Sequence, residues 1–164
     1  MNKYLTLTLI LFINIISGQK KEIKKAEKLF ESGDVKGASD LLINNKGLFE
    51  SADQKVLLQK IYLEAKIDQA NGKFQSSYEK YKNYASLGGK DIEYDDQIIK
   101  LTSDIVNSAI EDNTENRYSD SAPKLYLAYS INPETNQDYL YYAAGNAVSG
   151  KDFDTALTYY NLLV

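Results

Sequence analysis

After residue 20 the chain repeats one pattern: apolar residues at three- and four-residue steps, separated by short polar breaks. Ile23, Ala26, Leu29 and Phe30 form a first stripe, and Val35, Ala38, Leu41 and Leu42 a second. Leu57, Leu58, Ile61, Tyr62 and Ala65 lead to Phe74, Tyr78, Tyr81 and Tyr84. Ile98, Leu101, Ile105, Ala109 and Ile110 lead to Tyr118, Ala122, Leu125 and Tyr129. Leu140, Ala143, Ala144 and Ala147 lead to Phe153, Ala156 and Tyr160. Such steps put each set on one side of a helix, so every stripe predicts a helix with a single apolar face. Period-two alternation is not sustained, which leaves no strand. The expected fold class is all-α, built of helix–turn–helix pairs.

The breaks inside the pairs share a grammar. They are Gly33-Asp34-Val35-Lys36-Gly37-Ala38, Gly72-Lys73-Phe74-Gln75-Ser76-Ser77, Asn116-Arg117-Tyr118-Ser119-Asp120-Ser121 and Lys151-Asp152-Phe153-Asp154-Thr155-Ala156. Each is a turn residue, a polar residue, a bulky residue, two mostly polar residues and a small one. Four residues further on stands Leu42, Tyr81, Leu125 or Tyr160, and the bulky turn residues are 39, 44 and 35 apart. Ala38, Ser77, Ser121 and Ala156 are expected to be holes where two helices cross, with the flanking aromatics as knobs. Gly33 and Gly72 suit the positive φ that ends a helix, and Asn116 is the next most tolerant type. In the fourth break Gly150 lies one residue earlier, before Lys151.

This grammar resembles the tetratricopeptide repeat (TPR). Ala26…Gly33-Asp34-Val35-x2-Ala38-x3-Leu42 matches it, as does Leu140-x2-Ala143-Ala144-x2-Ala147…Asp152-Phe153-x2-Ala156-x3-Tyr160. Ile131-Asn132-Pro133-Glu134 carries the family's closing proline, which would stop one helix and lead into the next. Departures are Asp68 and Asp112, with Ser77 and Ser121 where alanine is usual. The resemblance implies an α-solenoid of about four helix pairs, at about 20–46, 52–87, 91–132 and 134–164. Asn44 to Ser51, Ser86 to Lys90 and Asn132 to Asn136 would join them, the second of these being the most flexible by composition. In the family the first helix of each pair lines a concave groove. By that analogy the groove residues are Glu27, Phe30, Tyr62, Lys66, Gln69, Ile110, Asn113, Tyr141 and Val148. The last unit ends on apolar residues inside its second helix, where a solenoid needs a polar cap, so an N-terminal fragment of a longer protein is expected.

The start of the chain follows a different rule. Met1-Asn2-Lys3 is basic, Tyr4 to Ile16 is uncharged and dominated by Leu and Ile, and Ser17-Gly18 is small. Thirteen apolar residues fall short of the roughly 20 that span a bilayer. A basic start, a short apolar run and small residues make a secretory signal, expected at 1–18, with 19–164 as the exported repeat domain. The destination is periplasm, cell envelope or the outside. No other segment has the length and apolarity to be a transmembrane span.

Composition narrows the chemistry. The chain has no Cys and no His. Disulfides, thiol nucleophiles, a lipid-anchoring cysteine and His-based triads are therefore excluded within it. Glu93-Tyr94-Asp95-Asp96 and Asp112-Asn113-Thr114-Glu115 lack the ligand spacing of a calcium loop and are expected as solvated turns or helix caps. Ser77-x2-Lys80 has a nucleophile spacing, but Ser77 occupies a packing position. No phosphate-cradling glycine loop occurs. No catalytic, metal or cofactor site is expected, and the chain is not expected to be an enzyme.

Charge is uneven. Gln19 to Lys90 carries 14 Lys against 10 Asp or Glu, a net of +4; Asp91 to Val164 carries 4 basic against 13 acidic residues, a net of −9. Lys20, Lys21, Lys24, Lys25 and Lys28 form the densest basic cluster, interleaved with Glu22, Glu27 and Glu31 as on a solvated helix face. With a sequence pI near 4.9, nucleic acid is not an expected partner. The 14 Tyr are expected mainly as knobs with hydroxyls at the rim, some as interface anchors. The expected function is a non-catalytic protein–protein interaction scaffold that binds other proteins through its superhelical surface. The alternative is an exported binding protein for glycan or another nutrient.

Overall fold

A computed structural model describes residues 18–89 and 92–163 of the chain. The expected signal segment lies almost wholly outside the described residues. Every regular element that is described is helical. Helix α1 covers residues 18–31. It is followed by α2 (Val35–Asn44), a 3-10 turn (Lys46–Phe49), α3 (Gln54–Ala70), α4 (Phe74–Ser86), α5 (Ile92–Thr114), α6 (Tyr118–Ile131), α7 (Gln137–Ser149) and α8 (Phe153–Asn161). The helices pack as sequence neighbours, α3 with α4, α5 with α6, α6 with α7 and α7 with α8. The chain divides into two compact units between Lys90 and Asp91.

The four intra-pair turns are built alike. Gly33 (φ 88°), Gly72 (71°), Asn116 (60°) and Lys151 (63°) each take the left-handed conformation. The residue after each donates its N–H five residues back, Asp34 to Leu29, Lys73 to Asp68, Arg117 to Asp112 and Asp152 to Ala147, at 2.7–2.9 Å. The left-handed residue itself bonds three back, for example Gly33 N to Phe30 O and Lys151 N to Val148 O. Together these bonds satisfy carbonyls that a helix end leaves without partners. The next helix starts at once. In the first and last turns an aspartate caps it: Asp34 accepts from the Gly37 N–H (2.8 Å) and Asp152 from the Thr155 N–H (3.1 Å).

The fourth turn has two neighbours with different roles. Lys151, not Gly150, is left-handed, while Gly150 sits at φ −77°. Gly150 is small for a different reason. A Cβ there would lie 3.0 Å from Ser119 Oγ and 3.3 Å from Ser119 N, where the start of α6 comes close.

The small residues mark the crossing, but alanine faces them rather than an aromatic knob. Ala38, Ser77 and Ser121 are fully buried and Ala156 nearly so. Twelve residues before them stand Ala26, Ala65, Ala109 and Ala144, each fully buried. Small against small lets two helix backbones approach closely. The two serines show how closely: Ser77 Oγ donates to Ala65 O at 2.9 Å, and Ser121 Oγ to Ala109 O at 2.8 Å.

The core of the first unit gathers Ile23 and Ala26 of α1, Ala38 and Leu42 of α2, Phe49, and Val56, Leu63 and Ile67 of α3. Phe49 belongs to the segment expected as a plain joining loop; the 3-10 turn there drives it inward. The described part of the Ser86–Lys90 joint, residues 86–89, is also more defined than its glycines suggest. Gly88 (φ 87°) repeats the helix-ending turn, with Gly89 N bonded to Tyr84 O at 3.0 Å. In the second unit Ala109, Leu125 and Ala143 cluster beside the stacked rings of Tyr126 and Tyr159, whose centroids are 4.6 Å apart. Pro133 lies just beyond the end of α6, as expected. Pro123 lies inside α6, where the sequence pattern gave no break.

Position along the pairs decides exposure. Leu42, Tyr81 and Leu125, four residues after the small residue, are buried, whereas Tyr160 at the same place in α8 is 38% exposed. Phe153 and Leu157 share that open face of α8. Within the second unit α6, the second helix of its pair, is covered by the helix that follows it, α7.

Candidate functional site

Expected groove residues come together in the first unit. Lys66 of α3 reaches back over α1, with Nζ 5.2 Å from the centre of the Phe30 ring and 5.9 Å from that of Tyr62. Both rings are half-buried and offer their faces to the ammonium. Glu27, on the same side of α1, has its carboxyl pushed up by burial and by Glu31, an effect that Lys24 and Lys66 oppose. Tyr62 also packs against Tyr81 and Tyr84, with centroids 5.6 and 5.0 Å away. Gln69 differs from the expectation. It is buried and accepts a bond from the Tyr81 hydroxyl at 3.2 Å, so it is part of the α3–α4 packing rather than of the exposed face.

In the second unit Ile110 and Asn113 line an open depression of about 320 Å³ between α5 and α7. Its other walls include Val106, Leu125, Tyr139 and Tyr142. Beneath it a polar chain ties three helices together. Asn113 donates to Asn146, Asn146 donates to Ser121 Oγ at 3.1 Å, and Ser121 passes its hydrogen to the Ala109 carbonyl. A satisfied chain of this kind holds the floor of the depression in one arrangement. A second depression, of about 360 Å³, continues along α5 past Ile98, Thr102 and Asn107 to the α6–α7 turn. Val106 and Tyr139 belong to both.

Tyr141 and Val148 are not in either depression. Both are exposed, and the Tyr141 ring instead meets Tyr142 and Tyr160, edge to face, at 5.9 and 6.3 Å. The residues of α7 that face α5 are Tyr139, Tyr142 and Asn146, which the family analogy missed by one helical step. Their spacing of three and four was the available signal.

Asp112 was expected in a solvated turn. It lies in the last turn of α5 and is buried. Arg117 donates to it from Nε (3.0 Å) and Nη2 (2.5 Å), and Lys124 from Nζ. Burial alone would raise its carboxyl, but the bonds from Lys124 and Arg117 prevail and hold it below the usual carboxylate range. The preceding pair repeats the feature: Asp68 accepts from Lys80, again twelve residues on. Where the first pair packs Leu29 and Leu41 against the core, the second and third substitute an ion pair.

Ser77 and Lys80 do not form a nucleophile and its base. Ser77 gives its hydrogen to Ala65 O, while Lys80 donates to Asp68 and to Ser76 Oγ. Among the described residues no group of three or more Asp and Glu side chains is arranged to hold a metal ion. None of the described helices is long and apolar enough to cross a membrane. Compared with family models, with curated proteins and with solved structures, the chain gives no match.

Proposed function

We propose that this chain is an exported TPR-like repeat protein that binds other proteins and carries out no reaction itself. The observation that carries this is the pair of first-helix faces. In one unit Phe30, Tyr62 and Lys66 cluster across α1 and α3; in the other Ile110 and Tyr142 stand at 56% and 58% exposure over a depression between α5 and α7. Aromatic and aliphatic anchors on rigid helices, with charged groups at the rim, are the makings of a binding hot spot. The recurring turn supports the solenoid reading, since one backbone device ends the first helix of all four pairs. Export rests on the basic start and short apolar run of residues 1–18.

The test is affinity capture from the envelope of the producing cell with the chain from Gln19 onward. A discrete protein is expected to be retained by the wild type and lost from Lys66→Ala or Tyr142→Ser, with circular dichroism unchanged. Retention that ignores both substitutions would contradict the assignment.

Glycan binding is favoured by one feature, the exposed tyrosines 141, 142 and 160. Their rings meet at about right angles, 70° and 72°, so they do not form a flat platform for a sugar face. Binding on a glycan array that disappears with Tyr141→Ala would establish this second reading.

A further inference from the structure

We infer that the two depressions along α5 form one groove for an extended, cationic segment of another polypeptide, with its apolar side chains seated beside Val106 and Ile110. The inference rests on the protein-binding function proposed above and adds the chemistry of the partner.

Continuity comes first. The depressions share Val106 and Tyr139, so they adjoin along α5. From Ile98 to Thr114 the helix rises about 24 Å at about 1.5 Å per residue. An extended segment of about seven residues covers that length. The groove offers such a chain both kinds of contact it needs. Ile99 (67% exposed), Ile110 and Tyr142 give apolar surface, and Asn107 stands on the wall as a polar partner for its backbone, beside Thr102 and Asn136, which already donate to Ile98 O and Ala128 O and offer oxygen acceptors.

Charge selects the partner. No side chain lining either depression is charged. Outside them, α5 carries six Asp or Glu against the single Lys100. Among those carboxylates Asp112 is matched by Lys124 and Arg117, Asp104 has an interaction of its own, and Arg117 also pairs with Glu115. Exposed Glu111 stands beside Ile110, and exposed Asp138 beside Tyr139. The C-terminal end of α5, where Ile110 and Thr114 lie, adds the negative pole of the helix dipole. The whole unit, Asp91 to Val164, has a net charge of −9 from 13 acidic and 4 basic residues. An apolar trough bordered by this field attracts lysine or arginine next to leucine or phenylalanine, and repels an acidic segment.

The experiment measures fluorescence anisotropy of two labelled heptapeptides with the chain from Gln19 onward, one alternating leucine with lysine, the other leucine with glutamate. The lysine peptide is expected to bind at least about tenfold tighter, and more weakly as salt rises. Ile110→Ser and Glu111→Lys, both on exposed positions, should each weaken it by about tenfold, while Leu157→Ser on α8 leaves it unchanged. Equal or tighter binding of the glutamate peptide would overturn the cationic partner, and so would a lysine peptide indifferent to Ile110→Ser. The envelope capture separates the two levels. A captured protein lost with Ile110→Ser, alongside preference for the glutamate peptide, overturns only the charge assignment. Failure of both peptides together with an empty capture overturns the scaffold function as well.

Discussion

Single residues carry most of what distinguishes one helix pair from the next. Asp112 is the clearest case, a buried carboxylate held between Arg117 and Lys124. Asp112→Asn should cost about 2 kcal/mol, the scale of hydrogen bonds to a charged group, measured by urea unfolding. The pH dependence follows from the lowered carboxyl. Its folded form favours the charged state, so the contribution is complete above the ordinary carboxylate range and disappears as pH falls through the lower folded value. Asp112→Asn should therefore flatten the acid limb of the stability curve; an unchanged limb would contradict the assignment. Composition marks Asp112 only as an acid in a polar run. Its burial depends on where α5 ends, and a sequence of Asp, Asn, Thr and Glu reads equally as a turn. Ser121 was legible as a small residue, but the bond to Ala109 needed the facing helix. Ser121→Ala should cost about 1 kcal/mol in the same measurement.

The elements were the most legible level. Stripes at three and four residues mark helices because burial on one face is what holds them, and the all-α expectation matches every described element. The turn grammar located all four left-handed residues, including the fourth, where no glycine stands. Lys151 holds the left-handed position while Gly150 makes room for Ser119. Lys151→Gly should stabilise the chain by about 0.5–1 kcal/mol, by relieving a side chain from φ 63°. Gly150→Ala should destabilise it through the Ser119 contact. A lower melting temperature for Lys151→Gly together with a higher one for Gly150→Ala would refute the division of labour. Ala38→Phe tests the crossing itself, with an expected cost of about 1–3 kcal/mol from overpacking. The residues of α7 that line the depression were not legible for a related reason. A helix shows two or three polar faces to the sequence, and only the packed neighbour tells which of Tyr141 and Tyr142 looks toward α5.

At the scale of the whole molecule, the proposed function rests on surface rather than on a reactive centre. The first-helix faces set apolar anchors near charge: half-buried rings under a lysine in one unit, exposed Ile110 and Tyr142 over a depression in the acidic other unit. Charge asymmetry was legible from residue counts alone, but its use was not, since the trough forms only when α5 and α7 are side by side. The central claim is that another polypeptide occupies these faces. It is tested most directly by hydrogen exchange on the chain from Gln19 onward, with and without the protein it captures. The account predicts slowed exchange confined to the first-helix faces, above all at Val106 to Thr114 of α5. Slowing confined to α8, or none in either unit, would contradict it.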